Sequence, residues 1–215
     1  MFNFHLRHAR GELLFARCWL LGEGETEMTL FHEIARHLGI DLERAGVRCV
    51  PYRLGTSIEL FLKVAKDFGI RWCVLTDNDS QGKPDQIHVK NNTEPSMLAQ
   101  ALHVMAEGDI EHHLCNSGFG GLYQAVYDAH PQLHSPPQPP PPCPSCGAAQ
   151  KPRPRLSAST SDPEYWPQLL KVVKNVLDKP GTALNAVQEI SSGRARVPPL
   201  LRKVIEDAVA LAGGV

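Results

Sequence analysis

Short apolar runs alternate with amphipathic helical patterns through the first half of this chain, and that alternation restricts its fold more than any other feature. RCWLLG (17–22), VRCVPY (47–52) and IRWCVLT (70–76) carry apolar residues at mostly consecutive positions, not at every second one. A strand that is apolar on both faces must be covered on both faces, as in a parallel sheet flanked by helices. Helical periodicity occupies about 28–38 and 57–68 between these runs, with Gly39 and Gly69 where C-terminal caps belong. A fourth strand is expected at 101–105, followed by a helix from near Asp109. The fold class is therefore α/β with a central, mostly parallel sheet.

HPQLHSPPQPPPPCPSCGAAQKPRPRLSASTSDP (130–163) is different in kind. Proline at this density sustains neither a helix nor a central strand, so the stretch reads as an exposed linker or insertion. Helical patterns resume in EYWPQLLKVVKNVLDK (164–179), TALNAVQEIS (182–191) and PPLLRKVIEDAVALA (198–212). The expected organisation is an α/β domain over 1–129, a proline-rich segment over 130–163, and a smaller C-terminal helical portion over 164–215.

The formal net charge of −1 offers no overall basic field, so a polyanionic partner must be held by local lysines and arginines or through metal ions. Cys18, Cys49 and Cys73 fall in apolar, strand-like runs and Cys115 near a helix, where a reduced thiol acts as a small hydrophobe. No apolar run approaches the ~20 residues of a membrane span, and MFNFHLRHAR lacks the apolar region of a signal peptide. A cytoplasmic location without membrane contact is the expectation.

In a parallel α/β sheet, ligands bind outside the carboxyl ends of the strands, where each strand delivers its next loop. The acids of this chain arrive there. Glu23 follows the first strand, Asp77 and Asp79 follow the third, and Asp109 and Glu111 follow the fourth. Glu27 lies four residues after Glu23, one helical turn on and facing the same edge, whereas Glu25 is expected to point elsewhere. Carboxylates without neighbouring His or Cys select hard cations, Mg²⁺ or Mn²⁺. Two such ions about 4 Å apart are the usual arrangement for phosphodiester chemistry.

Each signal has a competitor. Acids in EGETE could simply favour the first turn of a helix, and Asp109 could be a helix N-cap. DNDSQGKPDQIH fails as a calcium loop because Pro84 falls at position eight and His88 at position twelve. It also fails as a phosphatase nucleophile loop, which wants threonine where Gln81 stands. CPSC (143–146) with His130 and His134 has the composition of a zinc site, but a single Cys-x-x-Cys among prolines makes it the weaker reading.

Glu23 in GEGETE after a strand, alternating β and α units, and Asp77 and Asp79 in LTDND after a later strand together resemble the TOPRIM domain of topoisomerases, primases and certain nucleases. RGELLFARCWLLGEGETEMTLFHEIARHLGIDLERAGVRCV, VLTDND with Gly82 after it, and GDIEHHLCNSGF are similar to the C-terminal TOPRIM region of the OLD (overcoming lysogenisation defect) family of ATP-dependent nucleases. The similarity runs over about 11–118 and resumes near KPGTALNAV. It implies a metal-dependent DNA endonuclease, nicking or cutting both strands, in a phage-defence or DNA-repair setting. It also implies an ATPase domain that is absent from this chain, which contains no G-x-x-x-x-G-K-[ST] motif.

On that resemblance Glu23, Asp77 and Asp79 would hold one ion, and Glu27 with Asp109 or Glu111 the second. It further implies a lysine that reaches the scissile phosphate; Lys179, before Pro180, is the choice ahead of Lys174, although a cation closing a helix at that point would be ordinary. Tyr52, Tyr123, Tyr127 and Tyr165 suggest no covalent tyrosine of the topoisomerase kind. The alternative, from a different class of function, is a metal-stabilised docking or dimerisation module for a helicase or ATPase partner.

Overall fold

The computed structural model describes residues 12–54, 56–135, 142, 144–149 and 152–213. Strand β1 (Cys18–Gly22) is buried along its whole length, as its uninterrupted apolar run requires. Strand β2 (Val47–Pro51) pairs parallel to it on one side and β3 (Arg71–Thr76) on the other, and β4 (Leu102–Val104) pairs parallel to β3. The sheet order is β2-β1-β3-β4. The fourth strand is shorter than the sequence suggests because helix α4 (Leu98–Ala101) runs directly into it.

Alternate residues of the strands feed two cores. Trp19, Leu21, Val50 and Val74 meet Ile58, Phe61 and Leu62 of α2 (Ile58–Phe68) and Val89 of α3 (Gly82–Asn92). Cys18, Leu20, Cys73 and Leu75 meet Leu30, Phe31 and Ile34 of α1 (Glu25–His37) on the opposite face. Helix α5 (Ile110–Leu114) follows β4 and leads through a π-helical turn into α6 (Gly120–Asp128). Helices α7 (Tyr165–Val173), α8 (Lys179–Ser191) and α9 (Pro199–Leu211) complete the second core, with α8 packed on α1 and α9 on β3. The helices after the proline-rich stretch thus cover the same sheet as those before it.

The end of that stretch is not a free tether. Leu156 and Ala158 pack against the core, and the Gln168 side-chain carbonyl accepts N–H bonds from Ser157 at 3.0 Å and Ala158 at 3.2 Å. The helix expected over 164–179 ends at Val173, and Lys179 instead opens α8. Pro180 explains the change: proline breaks a helix interior but suits its first turn, where Asp178 caps by accepting the Gly181 N–H at 3.1 Å.

Candidate functional site

The chain leaves β1 toward β2 on one side and later returns to place β3 on the other. This order makes a topological switch between β1 and β3, and a crevice opens outside their carboxyl ends. Glu23 is the first residue past β1 and Asp77 the first past β3. Two glycines allow the close approaches that shape the crevice. A Cβ on Gly22 would stand 2.7 Å from the Glu27 Cβ, and one on Gly82 would stand 2.0 Å from the Asp77 carbonyl oxygen.

The crevice holds about 530 Å³ and is lined by Glu23, Glu27, Asp77 and Glu111 together with the cations of Arg53 and Lys179. Glu23 Oε1 accepts from the Tyr52 hydroxyl at 3.3 Å and the Asp77 N–H at 3.4 Å, and Oε2 lies 3.1 Å from Arg53 Nη1. Glu27 is 4% exposed and its Oε2 accepts the Gly24 N–H at 3.0 Å. Burial pushes its carboxyl up to about 7, with the charges of Glu111 and Glu23 adding to the effect. Asp77 is pushed up to about 9, first by burial and then by Glu23, Glu27, Asp109 and Asp79. Its Oδ1 is buried and has no hydrogen-bond partner.

Lys179 Nζ lies 2.9 Å from Glu111 Oε1, forming an ion pair across the crevice. The structure therefore brings Glu23, Glu27, Asp77, Glu111 and Lys179 to one crevice. Asp79 and Asp109 stand at its margins in other roles. Asp79 is exposed and its Oδ1 accepts the N–H groups of Gln81 at 2.8 Å and Gly82 at 2.7 Å, at the start of α3. Asp109 is the N-cap of α5: its Oδ1 accepts the His112 N–H at 2.9 Å and lies 2.5 Å from His112 Nδ1. Burial opposes the ionised form of Asp109, yet these bonds from His112 hold its carboxyl below the ordinary range. Glu25, expected to point away, lies instead on the exposed rim of the crevice.

Sequence reasoning missed Tyr52, Arg53 and Asp85. Arg53 pairs with Glu23 and also donates to Asp85 Oδ2 at 2.6 Å from Nη2, and the Tyr52 hydroxyl donates to Asp85 Oδ2 at 3.0 Å. The signal was present, because Tyr52 and Arg53 follow β2 at the same carboxyl edge as the acids. Burial and the adjacent Glu23 and Asp85 charges raise the Tyr52 phenol, leaving it a hydrogen-bond donor and not a phenolate nucleophile.

Among the described residues, no three His, Cys, Asp or Glu side chains close around one point. Their charges are engaged by cations instead: Arg53 pairs with both Glu23 and Asp85, and Lys179 with Glu111. The donor set nevertheless fits a hard divalent cation. It is all oxygen, it crowds like charges, and Asp77 Oδ1 is a buried acceptor with nothing to accept. Zinc finds less. Cys143 lies outside the described residues, and Cys146 is exposed. His130 Nδ1 lies 2.7 Å from the Val126 carbonyl, and His134 Nε2 lies 3.0 Å from that of Tyr127. Cys18, Cys73 and Cys115 are buried free thiols, as their apolar surroundings suggest.

The sequence of residues 14–79 matches the family described as overcoming lysogenization defect protein-like, TOPRIM domain. Residues 14–79 thus resemble an OLD-like TOPRIM domain. That domain contains β1, β2 and β3 and hence Glu23, Glu27, Asp77 and Asp79. The chain is also 33% identical over 126 residues to the uncharacterized protein YbjD of Escherichia coli K12, a match that covers 58% of this chain and 23% of that protein. It therefore spans less than a quarter of that relative's length. In structure it resembles the C-terminal region of the Burkholderia pseudomallei OLD protein, with a TM-score of 0.58 and 19% identity over 92% of this chain and 99% of that one. The corresponding region of the Xanthomonas campestris pv. campestris OLD protein matches with a TM-score of 0.57 and 16% identity over 94% and 97% of the two chains. These two likenesses show the fold, which extends through the C-terminal helices. An OLD-like TOPRIM domain implies a nuclease-type or metal-binding role. Among the described residues no helix is long and apolar enough to cross a membrane.

Proposed function

We propose that this chain is the catalytic portion of an OLD-type ATPase-nuclease and cleaves DNA phosphodiester bonds with the help of Mg²⁺ or Mn²⁺. The observation that carries the reading is the buried, unpartnered Asp77 Oδ1 at the β1/β3 switch point, in a residue that lines one crevice with further carboxylates and a lysine. Glu23, Glu27 and Asp77 are the residues that would hold the cations, with Glu111 across the crevice. Asp79 and Asp109 each use one oxygen as a helix cap and would contribute through the other. Bound there, the ions would acidify a water molecule and neutralise charge on the phosphate and its leaving oxygen.

The chain's own groups account for the remaining requirements. Lys179 is poised beside Glu111, from which its ammonium could turn to a phosphate oxygen and stabilise charge in the transition state. The Tyr52 hydroxyl donates to Glu23 Oε1 and the Arg53 guanidinium forms an ion pair with Oε2, which restricts the carboxylate to one orientation. The supporting β-strands fix Glu23 and Asp77 relative to each other through the Asp77 N–H bond to Glu23.

The test is incubation of the purified chain with supercoiled plasmid. Nicked or linear product is expected with Mg²⁺ or Mn²⁺, none in EDTA, and no substitution by Zn²⁺ at equal concentration. Cleavage that persists in excess chelator would remove the metal-dependent reading. Metal binding without cleavage would favour the docking-module alternative.

A further inference from the structure

The acidic crevice can accommodate the phosphate being cut, but it repels the phosphates on either side of it. A substrate strand therefore needs cations where it leaves the carboxylates. Beside the crevice the surface supplies them. Past Lys179 and Glu111 the crevice adjoins a second hollow of about 230 Å³, which those two residues share with Asp109, His112, Lys171 and Lys174. Lys171 then also lines a third hollow of about 130 Å³, together with Arg153 and Asn175. The three hollows thus lie next to one another, the first two sharing Glu111 and Lys179 and the last two Lys171.

Lys171, Lys174 and Arg153 are exposed, and among the described residues none of them forms an ion pair. Lys171 and Lys174 are three positions apart, so they stand on one side of the helix end with Cβ atoms about 5–6 Å apart. Among the described residues, no Phe, Tyr or Trp lines the second and third hollows. The exposed lysines offer contact with a sugar-phosphate backbone.

We propose that the groove running from Lys179 past Lys174 and Lys171 to Arg153 is a sequence-independent track for the nucleic-acid backbone flanking the scissile phosphate. This rests on the reading of the crevice as a phosphodiester-cleaving site. The track holds phosphates through Lys171 and Lys174 and reads no base, so affinity depends steeply on salt and little on sequence.

The experiment is fluorescence anisotropy of a fluorescein-labelled 20-base-pair duplex of arbitrary sequence, with the full chain in EDTA so that binding is read without turnover. Lys171→Gln/Lys174→Gln should weaken Kd at least tenfold at 50 mM salt and reduce the slope of log Kd against log salt by about 1.8, two phosphate contacts at about 0.9 each. Lys171→Arg/Lys174→Arg should restore binding, and the rise in melting temperature with Mn²⁺ should be the same in all three proteins. An unchanged Kd and slope in the glutamine variant overturns the track, as does a wild-type chain that binds no duplex. If the glutamine variant binds weakly as expected but the wild-type chain cuts no plasmid, the track stands and the cleavage reading falls.

Discussion

Lys179 and Glu111 form an ion pair of 2.9 Å that joins the first turn of α8 to the helix following β4. Lys179 sits at a helix N-terminus, where the macrodipole disfavours a cation, and not at the C-terminus where the sequence placed it. Its position therefore has no explanation in helix electrostatics. Lys179→Ala should slow plasmid cleavage by roughly 10²-fold or more, the usual effect of removing one preorganised charge at a transition state. Mn²⁺ binding, measured as thermal stabilisation, should persist. Full activity in the alanine variant would return the choice to Lys174, Arg194 or Arg196.

Arg53 bridges Glu23 and Asp85 across the mouth of the crevice. Arg53→Gln leaves both carboxylates with weaker donors in a field of like charge. In EDTA the variant should lose about 1.5–3 kcal/mol, the range for hydrogen bonds to charged groups. Saturating Mn²⁺ should recover most of that loss, because the cation replaces the missing positive charge. Denaturant titration with and without metal measures both quantities, and a loss that Mn²⁺ leaves untouched would argue against Glu23 as a ligand.

The carboxyls of Glu27 and Asp77, raised to about 7 and about 9, give the metal-free protein a defined pH dependence. The folded state binds these protons more tightly than the unfolded chain, whose carboxyls titrate at about 4. Their contribution is therefore complete below about pH 4 and is lost as the pH rises through the folded values. In EDTA the melting temperature should fall from pH 4 toward pH 9. Asp77→Asn should flatten the alkaline part of that curve and lower cleavage by at least two orders of magnitude. A variant whose calorimetric pH profile overlays the wild type would show that Asp77 is not the group responsible.

Gly82 touches the Asp77 backbone closely enough that any Cβ collides with it. Gly82→Ala should cost about 1–3 kcal/mol, the usual range for overpacking, and displace Asp77. Mn²⁺ affinity should fall as well. Unaltered affinity together with reduced stability would separate the loop's packing from the site.

Much of this protein was legible along the chain. Fully apolar runs between helical periods specify a parallel sheet because burial on two faces is a local, periodic demand, and the strands after which Glu23 and Asp77 fall put both at one edge. What only the tertiary structure decided was how the side chains divide that edge. Asp79 and Asp109 satisfy orphan N–H groups of nearby helices, Arg53 reaches across to Glu23 and Asp85, and Lys179 arrives at Glu111 from beyond the proline-rich segment. Such pairings are not periodic. They follow from the order in which strands are laid side by side, and from competition among buried charges for the few donors within reach, neither of which a local pattern of residues encodes.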